Sequence, residues 1–316
     1  MLDQQTLNTY TGWKKWEPTL DEWEEFQTKQ KLPSYIELLE NEYLLVYLDK
    51  DSSFPSYQYV FQEGKLNKIG RETINVRVKA PKIILNEDED LDQRISKRLR
   101  KNYDEKLNKA KQKTIIPHNP EQICAINMMR DPRTTIKLIT GSWGTGKTML
   151  LVTAALEALY DKKFERIIWI RNNVDVAGTK DLGALPGDVL DKLVPFLGPF
   201  VDHVGKENVK SMIKNETLIV EPLQSLRGRN FENAIIMCSE AENLTKEHLQ
   251  LIIARAAEGS EVWLDGDTRQ RDKEMFTKSK GIETMIDDFK GNELFGYVHL
   301  IKSERSKTAA MADLLI

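Results

Sequence analysis

The segment GSWGTGKT, from Gly141 to Thr148, constrains the fold more than any other part of the chain. It follows TIKLIT, an apolar run that is typical of a buried strand, and it opens an apolar helical segment that runs to Tyr160. A glycine-rich turn between a strand and a helix, closed by Lys and Thr, is the phosphate-loop pattern. The sequence therefore predicts a turn that wraps phosphates at the start of a helix.

Each part of this phosphate loop has an expected role. Backbone N–H groups of the glycine-rich turn would surround the phosphates, and the helix N-terminus adds positive potential. Lys147 would reach the outer phosphates, and the Thr148 hydroxyl would bind Mg²⁺. The indole of Trp143 would either shield the phosphates or pack against a neighbouring helix. The residues of the loop that are predicted to bind nucleotide are Gly141, Ser142, Trp143, Gly144, Thr145, Gly146, Lys147 and Thr148.

Apolar strand-like segments recur on both sides of the phosphate loop and alternate with helical spacing. They lie at residues 135–140, 166–170, 217–220, 234–238, 261–264 and 297–300. Alternation of this kind predicts an α/β fold with a parallel sheet that is covered by helices on both faces. Ligands of such sheets bind beyond the carboxyl ends of the strands, so the functional residues are expected there.

The first third of the chain has a different character. Residues 1–90 predict a small helix-plus-sheet module, with helix starts of the capping-box type at 19–22 and 34–37. Leu20, Trp23 and Phe26 would share one face of the first helix. Strand-like segments follow at 41–48, 57–61 and 74–78.

Residues 91–114 predict a basic amphipathic helix or linker between this module and a nucleotide-binding domain at residues 115–316. The cations Arg98, Arg100 and Lys101 lie in this segment. They would either contact the phosphates of a nucleic acid or form a solvated helix face, and the sequence leaves both interpretations open.

Composition excludes several classes of protein. The chain has 316 residues, of which 40% are hydrophobic and 30% charged, and a net charge of -3, which is typical of a globular protein. No apolar run is long enough to span a membrane, and no signal-peptide core is present at the N-terminus. We therefore expect a cytoplasmic protein without a membrane partner. Cys124 and Cys238 lie in apolar surroundings and are expected to be buried thiols, and the four histidines lack metal-ligand spacing.

Three further motifs occur in order along the chain. Gln122, in HNPEQICAINMM, could form a paired hydrogen bond with a purine edge. Asp267 and Gln270, in LDGDTRQ, could sense the terminal phosphate or orient water. Arg305, in HLIKSERSK, could stabilise charge on a transferred phosphoryl group. Each residue alone is more often a surface charge or a helix cap, but together with a phosphate loop the set favours a nucleotide site.

From about residue 115 onward the chain resembles the PhoH family of P-loop ATPases, whose core is RecA-like and related to superfamily-one helicases. The matching segments are GSWGTGKT, RNNVDVAGTKDLGALPGD, EPLQSLRGRNFENAII, SEAENLT, EGSEVWLDGDTRQ and HLIKSERS. The resemblance implies a RecA-like parallel sheet, ATP and Mg²⁺ as cofactors, and ATP hydrolysis that acts on RNA or single-stranded DNA. It does not extend to the acidic array of a PIN nuclease domain.

The resemblance also assigns roles to individual residues. Those implied to be catalytic are Glu240, which would polarise the attacking water, Gln270, Arg305 and Lys147. Asp267 would belong to the nucleotide site, and Ser239 would hold Mg²⁺ through a metal-bound water. Arg171, Arg227 and Arg229 would contact nucleic acid or a neighbouring subunit, or would form ion pairs that tie loops to the sheet.

The chain departs from the family pattern at three positions. Ser239 replaces the usual Asp, Glu242 replaces a Gln, and Trp143 replaces a small residue. Because Ser239 brings no charge, Asp265 and Asp267 on the neighbouring strand are expected to supply part of the missing charge. Substituting Ser239→Asp is expected to lower the Mg²⁺ requirement.

Two classes of function follow. The first is an ATPase that acts on RNA or single-stranded DNA as a homo-oligomer, because the residues after 115 suffice for only one RecA-like lobe. The second is a nucleotide-dependent binding or scaffold protein whose turnover is slow or absent, which Ser239 favours.

Overall fold

The computed structural model describes residues 10–77, 112–171, 197–269 and 274–304 of the chain. The strands in these residues are β1 (Trp13–Trp16), β2 (Tyr43–Val46), β3 (Tyr57–Gln62), β4 (Lys65–Ile69), β5 (Ile74–Arg77), β6 (Gln112–Ile115), β7 (Ile136–Gly141), β8 (Arg166–Arg171), β9 (Leu218–Pro222), β10 (Ala234–Cys238), β11 (Glu261–Gly266) and β12 (Phe295–Leu300). The α-helices are α1 (Leu20–Lys29), α2 (Pro120–Arg130), α3 (Lys147–Tyr160), α4 (Gly198–Val204), α5 (Lys206–Lys214), α6 (Lys246–Ile253), α7 (Glu274–Ser279) and α8 (Gly281–Phe289). Short 3₁₀ turns occupy Leu223–Leu226 and Ala241–Asn243.

The centre of the protein is a parallel sheet, which confirms the predicted fold class. Its described strands follow the order β12-β7-β11-β10-β8-β9, and each neighbouring pair is parallel. Successive residues of one strand enter different apolar clusters: Ile235 packs with α2 and α3, whereas Ile236 packs with α6 and α8. Because both faces are covered, the strands read as continuous apolar runs rather than alternating ones.

The N-terminal module is a four-stranded sheet in the order β1-β2-β3-β4, with α1 against one face. Thr19 caps α1 as predicted, because its hydroxyl accepts the Glu22 N–H and the Glu22 carboxylate accepts the Thr19 N–H. Phe26 is buried and its ring meets Trp16 edge to face at 5.5 Å between centroids. Leu20 was predicted to share that face, but it is 82% exposed.

The second helix predicted for the module, at residues 34–37, is absent from the structure of this segment. The chain makes a single turn there, in which the Ile36 N–H donates to the Pro33 carbonyl. The Tyr35 hydroxyl instead donates to Glu22 of α1 at 2.7 Å. Tertiary contacts therefore override the local capping pattern.

Strand β5 pairs with β6 in a separate two-stranded antiparallel sheet rather than with the module. Lys113 lies in β6, so the predicted basic helix does not extend to this residue. Residues 78–111 lie outside the described part of the chain, and with them the predicted basic segment that contains Arg98, Arg100 and Lys101.

The N-terminal module docks on the β12 edge of the central sheet. The His299 N–H donates to the Thr11 carbonyl at 2.9 Å, and the Trp13 indole N–H donates to the His299 carbonyl at 2.9 Å. The Asn41 amide donates to the Phe295 carbonyl at 3.1 Å. Apolar side chains of β2 join the cluster that covers α2 and α3. The module and the central sheet therefore share one core.

The cysteines and the helices of the described residues have the properties expected from the sequence. Cys124 and Cys238 are free and buried, as expected from their apolar neighbours. None of the helices in these segments combines the length and the apolar character that crossing a membrane requires.

Candidate functional site

The phosphate loop follows β7 directly and opens α3, so it lies at the carboxyl end of a central strand. Its glycines are required by geometry. A Cβ on Gly141 would lie 2.5 Å from the Leu300 carbonyl oxygen of β12. Gly146 precedes α3 with a φ of 91°, a conformation that L-residues rarely adopt. The N–H groups at the start of α3 are consequently directed toward the loop, as anion binding at a helix N-terminus requires.

Contacts from outside the loop fix its shape. The Gln122 side chain donates to the Thr145 carbonyl at 3.0 Å and accepts the His118 N–H at 2.8 Å. The Glu304 N–H donates to the Gly144 carbonyl at 2.9 Å. The loop is therefore held in place by α2 on one side and by the segment after β12 on the other.

These contacts bear on the predicted role of Gln122. The residue is 3% exposed, and both ends of its amide have backbone partners. In this arrangement Gln122 supports the phosphate loop, and each end of its amide is already engaged with the backbone. Recognition of a base by Gln122 stays a prediction that would require these two hydrogen bonds to rearrange.

Lys147 and Thr145 make hydrogen bonds within the loop. The Lys147 ammonium donates to the carbonyls of Gly141 at 2.8 Å and Ser142 at 3.0 Å, and the Thr145 hydroxyl donates to Ser142 at 2.9 Å. The ammonium group thus folds back over the concave side of the loop. Its position is compatible with the predicted contact with the outer phosphates of a nucleotide.

A cleft of about 550 Å³ opens beside the loop, at the carboxyl ends of β7, β11 and β10. Helix α4 forms part of its wall with Pro199 and His203, and Trp143 lies at its mouth with 39% of its surface exposed. The predicted site residues that line the cleft are Trp143, Gly144, Gly146, Lys147, Thr148, Ser239, Glu240 and Asp267. The structure thus brings together residues that lie more than a hundred positions apart.

The carboxylate nearest to Thr148 belongs to Asp265, at the end of β11. The Thr148 hydroxyl donates to Asp265 Oδ2, whereas it lies 3.4 Å from the Ser239 hydroxyl. Asp265 is 1% exposed, and its Oδ1 atom makes no hydrogen bond to any part of the chain that the structure describes. Burial raises the pKa of Asp265, while the Thr148 and Ser239 hydroxyls, the Lys147 charge and the backbone N–H of Glu240 oppose the increase.

Three further acidic residues, Glu240, Glu242 and Asp267, line the cleft. Glu240 follows β10 in a left-handed conformation, with a φ of 56°, and is exposed. Asp267 is 3% exposed, and its N–H donates to Glu242 at 3.0 Å. Burial raises the pKa of Glu242 to about 7, and the nearby charges of Asp265 and Glu240 also raise it. Of the carboxylates at the ends of β10 and β11, Glu240 is therefore the one that water can reach most easily.

Arg227 and Arg229 do not line the cleft. Arg229 forms an ion pair with Glu221 and lies over the Phe231 ring, so its described contacts are those of a residue that ties a loop to the sheet. Arg227 is exposed. Arg171 is the last residue of β8, but the structure does not describe its side chain. Gln270 and Arg305 lie outside the described residues.

Two supporting contacts were not predicted from the sequence. Glu304 accepts a hydrogen bond from the Asn119 amide at 3.0 Å in addition to its backbone contact with the loop. Asn119 also caps α2, since its side chain accepts the Gln122 N–H. The signal available in the sequence was the Asn-Pro pair that opens α2; nothing local indicates that Glu304 reaches it.

Comparison with known proteins shows the family of this chain. A family model described as PhoH-like protein matches residues 114–314. Protein PhoH2 of Thermobispora bispora is 32% identical over 195 residues, which cover 60% of this chain and 45% of that protein. Protein PhoH2 of Bacillus subtilis is 32% identical over 212 residues, 64% of this chain and 48% of that protein. Protein PhoH of Escherichia coli is 32% identical over 176 residues, 54% and 49% respectively. The chain thus spans about half the length of these relatives.

Proposed function

Since the chain belongs to the PhoH-like family, we propose that it binds ATP with Mg²⁺ and hydrolyses it, and that this cycle acts on RNA or single-stranded DNA in a cytoplasmic oligomer. The observation that carries the proposal is the convergence of Lys147, Thr148, Glu240 and Asp267 on one cleft at the carboxyl ends of the central strands. Phosphoryl transfer depends chiefly on positioning and on stabilisation of charge. Both are available in this cleft.

Each residue of the cleft would perform a separate task. The loop N–H groups and Lys147 would bind the phosphates, and Thr148 would contact the metal ion. The exposed carboxylate of Glu240 would orient water and accept its proton, as a general base must. Asp267 lies one strand away, where it would sense the outer phosphate. When bound, Mg²⁺ would neutralise phosphate charge, and the side chains above would align the reacting groups.

The proposal of an oligomer rests on the shape of the site. The described residues contain one parallel sheet with one phosphate loop, and Trp143, which lines the cleft, is 39% exposed. A motor of this kind closes its cleft with a second lobe. We propose that a second copy of the chain supplies it, and light scattering with and without Mg²⁺-ATP tests this. A monomer under both conditions would exclude it.

The decisive experiment measures phosphate release with Mg²⁺-ATP, alone and with single-stranded RNA or DNA. We expect turnover that nucleic acid stimulates and that Lys147→Ala abolishes. Lys147→Ala should retain the wild-type melting curve, because the side chain faces a cleft and contributes little to the core. ATP binding without turnover under any condition would favour the scaffold function that Ser239 suggests, and no nucleotide binding would refute both.

The nucleic-acid part of the proposal has a test of its own. If the basic segment at residues 91–114 contacts phosphates, affinity for single strands should decrease steeply as salt increases. Neutralising Lys97, Arg98, Arg100 and Lys101 together should then weaken binding to all sequences alike. Unchanged binding would assign the segment to a solvated surface.

A further inference from the structure

The family resemblance places the metal-holding carboxylate at position 239, where this chain has a serine. The structure nevertheless contains a carboxylate at the Thr148 hydroxyl. It comes from Asp265, on the strand between β7 and β10. The missing negative charge is therefore present, but it comes from a neighbouring strand.

Sheet register explains why the two positions are equivalent. Strands β10 and β11 are parallel, and Cys238 is paired with Leu264. One residue further along, Ser239 and Asp265 lie side by side, and parallel neighbours at one level direct their side chains to the same face. Thr148 contacts both side chains, which shows that they reach the same point.

The state of the Asp265 carboxylate points to a ligand. One oxygen accepts the Thr148 hydroxyl, and the other is buried without a hydrogen-bond partner among the described residues. Buried polar atoms are nearly always paired. Asp265 also lines the cleft, so this buried oxygen lies beside the space that a nucleotide and its cation would occupy.

We propose that Asp265 performs the metal-holding role that Ser239 has lost, so that the site carries its full negative charge on β11 instead of β10. The proposal rests on the proposed function, because it requires Mg²⁺-nucleotide at this cleft. In the described residues no three His, Cys, Asp or Glu side chains converge as a metal cage. Mg²⁺ does not require one, because it usually keeps several waters and binds one or two carboxylates together with phosphates.

The test measures the Mg²⁺ dependence of binding rather than turnover. A fluorescent ATP analogue is titrated at increasing Mg²⁺ and also in EDTA, for wild type, Asp265→Asn and Ser239→Ala. We expect Asp265→Asn to raise the half-maximal Mg²⁺ concentration about 10–100-fold, with unchanged affinity in EDTA. Ser239→Ala should produce a much smaller shift. Asp287→Asn, at an exposed position of α8, is the matched control.

Exchanging the residues at positions 239 and 265 tests whether the site needs a carboxylate at one particular position or at either of the two. Asp265→Ser alone should show the same defect as Asp265→Asn, and adding Ser239→Asp to it should restore the wild-type Mg²⁺ requirement. Ser239→Asp alone should bring no improvement, because two adjacent carboxylates disfavour each other's ionisation. This outcome differs from the sequence-based expectation that Ser239→Asp lowers the Mg²⁺ requirement.

The outcomes distinguish this inference from the proposed function. An unchanged Mg²⁺ requirement in Asp265→Asn would overturn the role of Asp265, while nucleotide binding by wild type would still support the function. Absence of nucleotide binding by wild type would overturn both. If Asp265→Asn does not fold, Ser239→Asp alone decides the question, since a fall in its Mg²⁺ requirement below that of wild type would also overturn the inference.

Discussion

Replacing Gly12 by alanine should separate the N-terminal module from the central sheet. An added Cβ would lie 1.8 Å from the Tyr297 carbonyl oxygen and 2.7 Å from its carbon. Both atoms belong to the backbone of β12, so neither can rotate away. Gly12 also has a φ of 77°. Its neighbour Thr11 accepts the His299 N–H, which joins the two sheets, and its own carbonyl accepts the Tyr43 N–H within the module.

The expected loss of stability has two parts. A left-handed conformation costs an L-residue about 1–2 kcal/mol, and forcing extra atoms into a packed interface costs about 1–3 kcal/mol. Gly12→Ala should therefore lower the free energy of unfolding by about 2–5 kcal/mol. Gly64→Ala is the matched control, since Gly64 has a φ of 71° but nothing within 4 Å of its added Cβ. It should lose only about 1–2 kcal/mol.

Urea unfolding of both variants measures the difference, and hydrogen exchange at the His299 amide reports whether the docking bond has opened. Faster exchange should occur in Gly12→Ala and not in Gly64→Ala. Equal losses of stability in the two variants, with equal protection of His299, would show that the contact at Tyr297 has no energetic weight and would refute the reasoning.

Three other predictions follow from the structure. Glu261→Gln leaves the buried ammonium of Lys137 without its carboxylate partner. Urea unfolding should therefore show a free energy of unfolding that is lower by about 3–5 kcal/mol. Glu258→Gln, at an exposed position, is the control, and equal stability of the two variants would contradict the prediction. Glu240→Gln should slow phosphate release at least about 100-fold while affinity for ATP is retained; rapid release would remove Glu240 from the mechanism. In metal-free protein Glu242→Gln should be more stable than wild type above about pH 7 but not at about pH 4.5. The pKa of Glu242 is raised from 4.5 to about 7, so the wild type loses stability as pH increases through that window. The prediction is wrong if urea unfolding gives the two proteins the same pH dependence of stability across the window.

The sequence predicted the central sheet well because strands buried on both faces are continuous apolar runs. Strands β1 and β4 escaped prediction, since WKKW and KLNKI are short and rich in lysine. Their conformation is set by pairing with neighbours, and pairing is not visible in a local window. The helix predicted at residues 34–37 failed for the related reason that tertiary contacts outweigh a capping pattern.

The sequence likewise predicted one part of the site and not another. Phosphate-loop chemistry was predictable from spacing alone, because strand, glycine-rich turn and helix are contiguous in the chain. Which carboxylate reaches Thr148 was not fully predictable. Chain order says that β10 and β11 both end near the cleft, but only the lateral order β7-β11-β10 shows that Asp265 stands between the loop strand and Ser239. The same three-dimensional information assigns Gln122 to the loop backbone.

The contact between Trp13 and His299 has a consequence for biosynthesis. The two residues are 286 positions apart, so the N-terminal module leaves the ribosome long before its docking strand exists. At about 5–20 residues per second the interval is about 15–60 s. The apolar face of β2 has no partner until α2 is synthesised, and the module cannot dock on the central sheet until β12 is synthesised. The earliest species in which this docking is complete is therefore a chain that has been synthesised past β12.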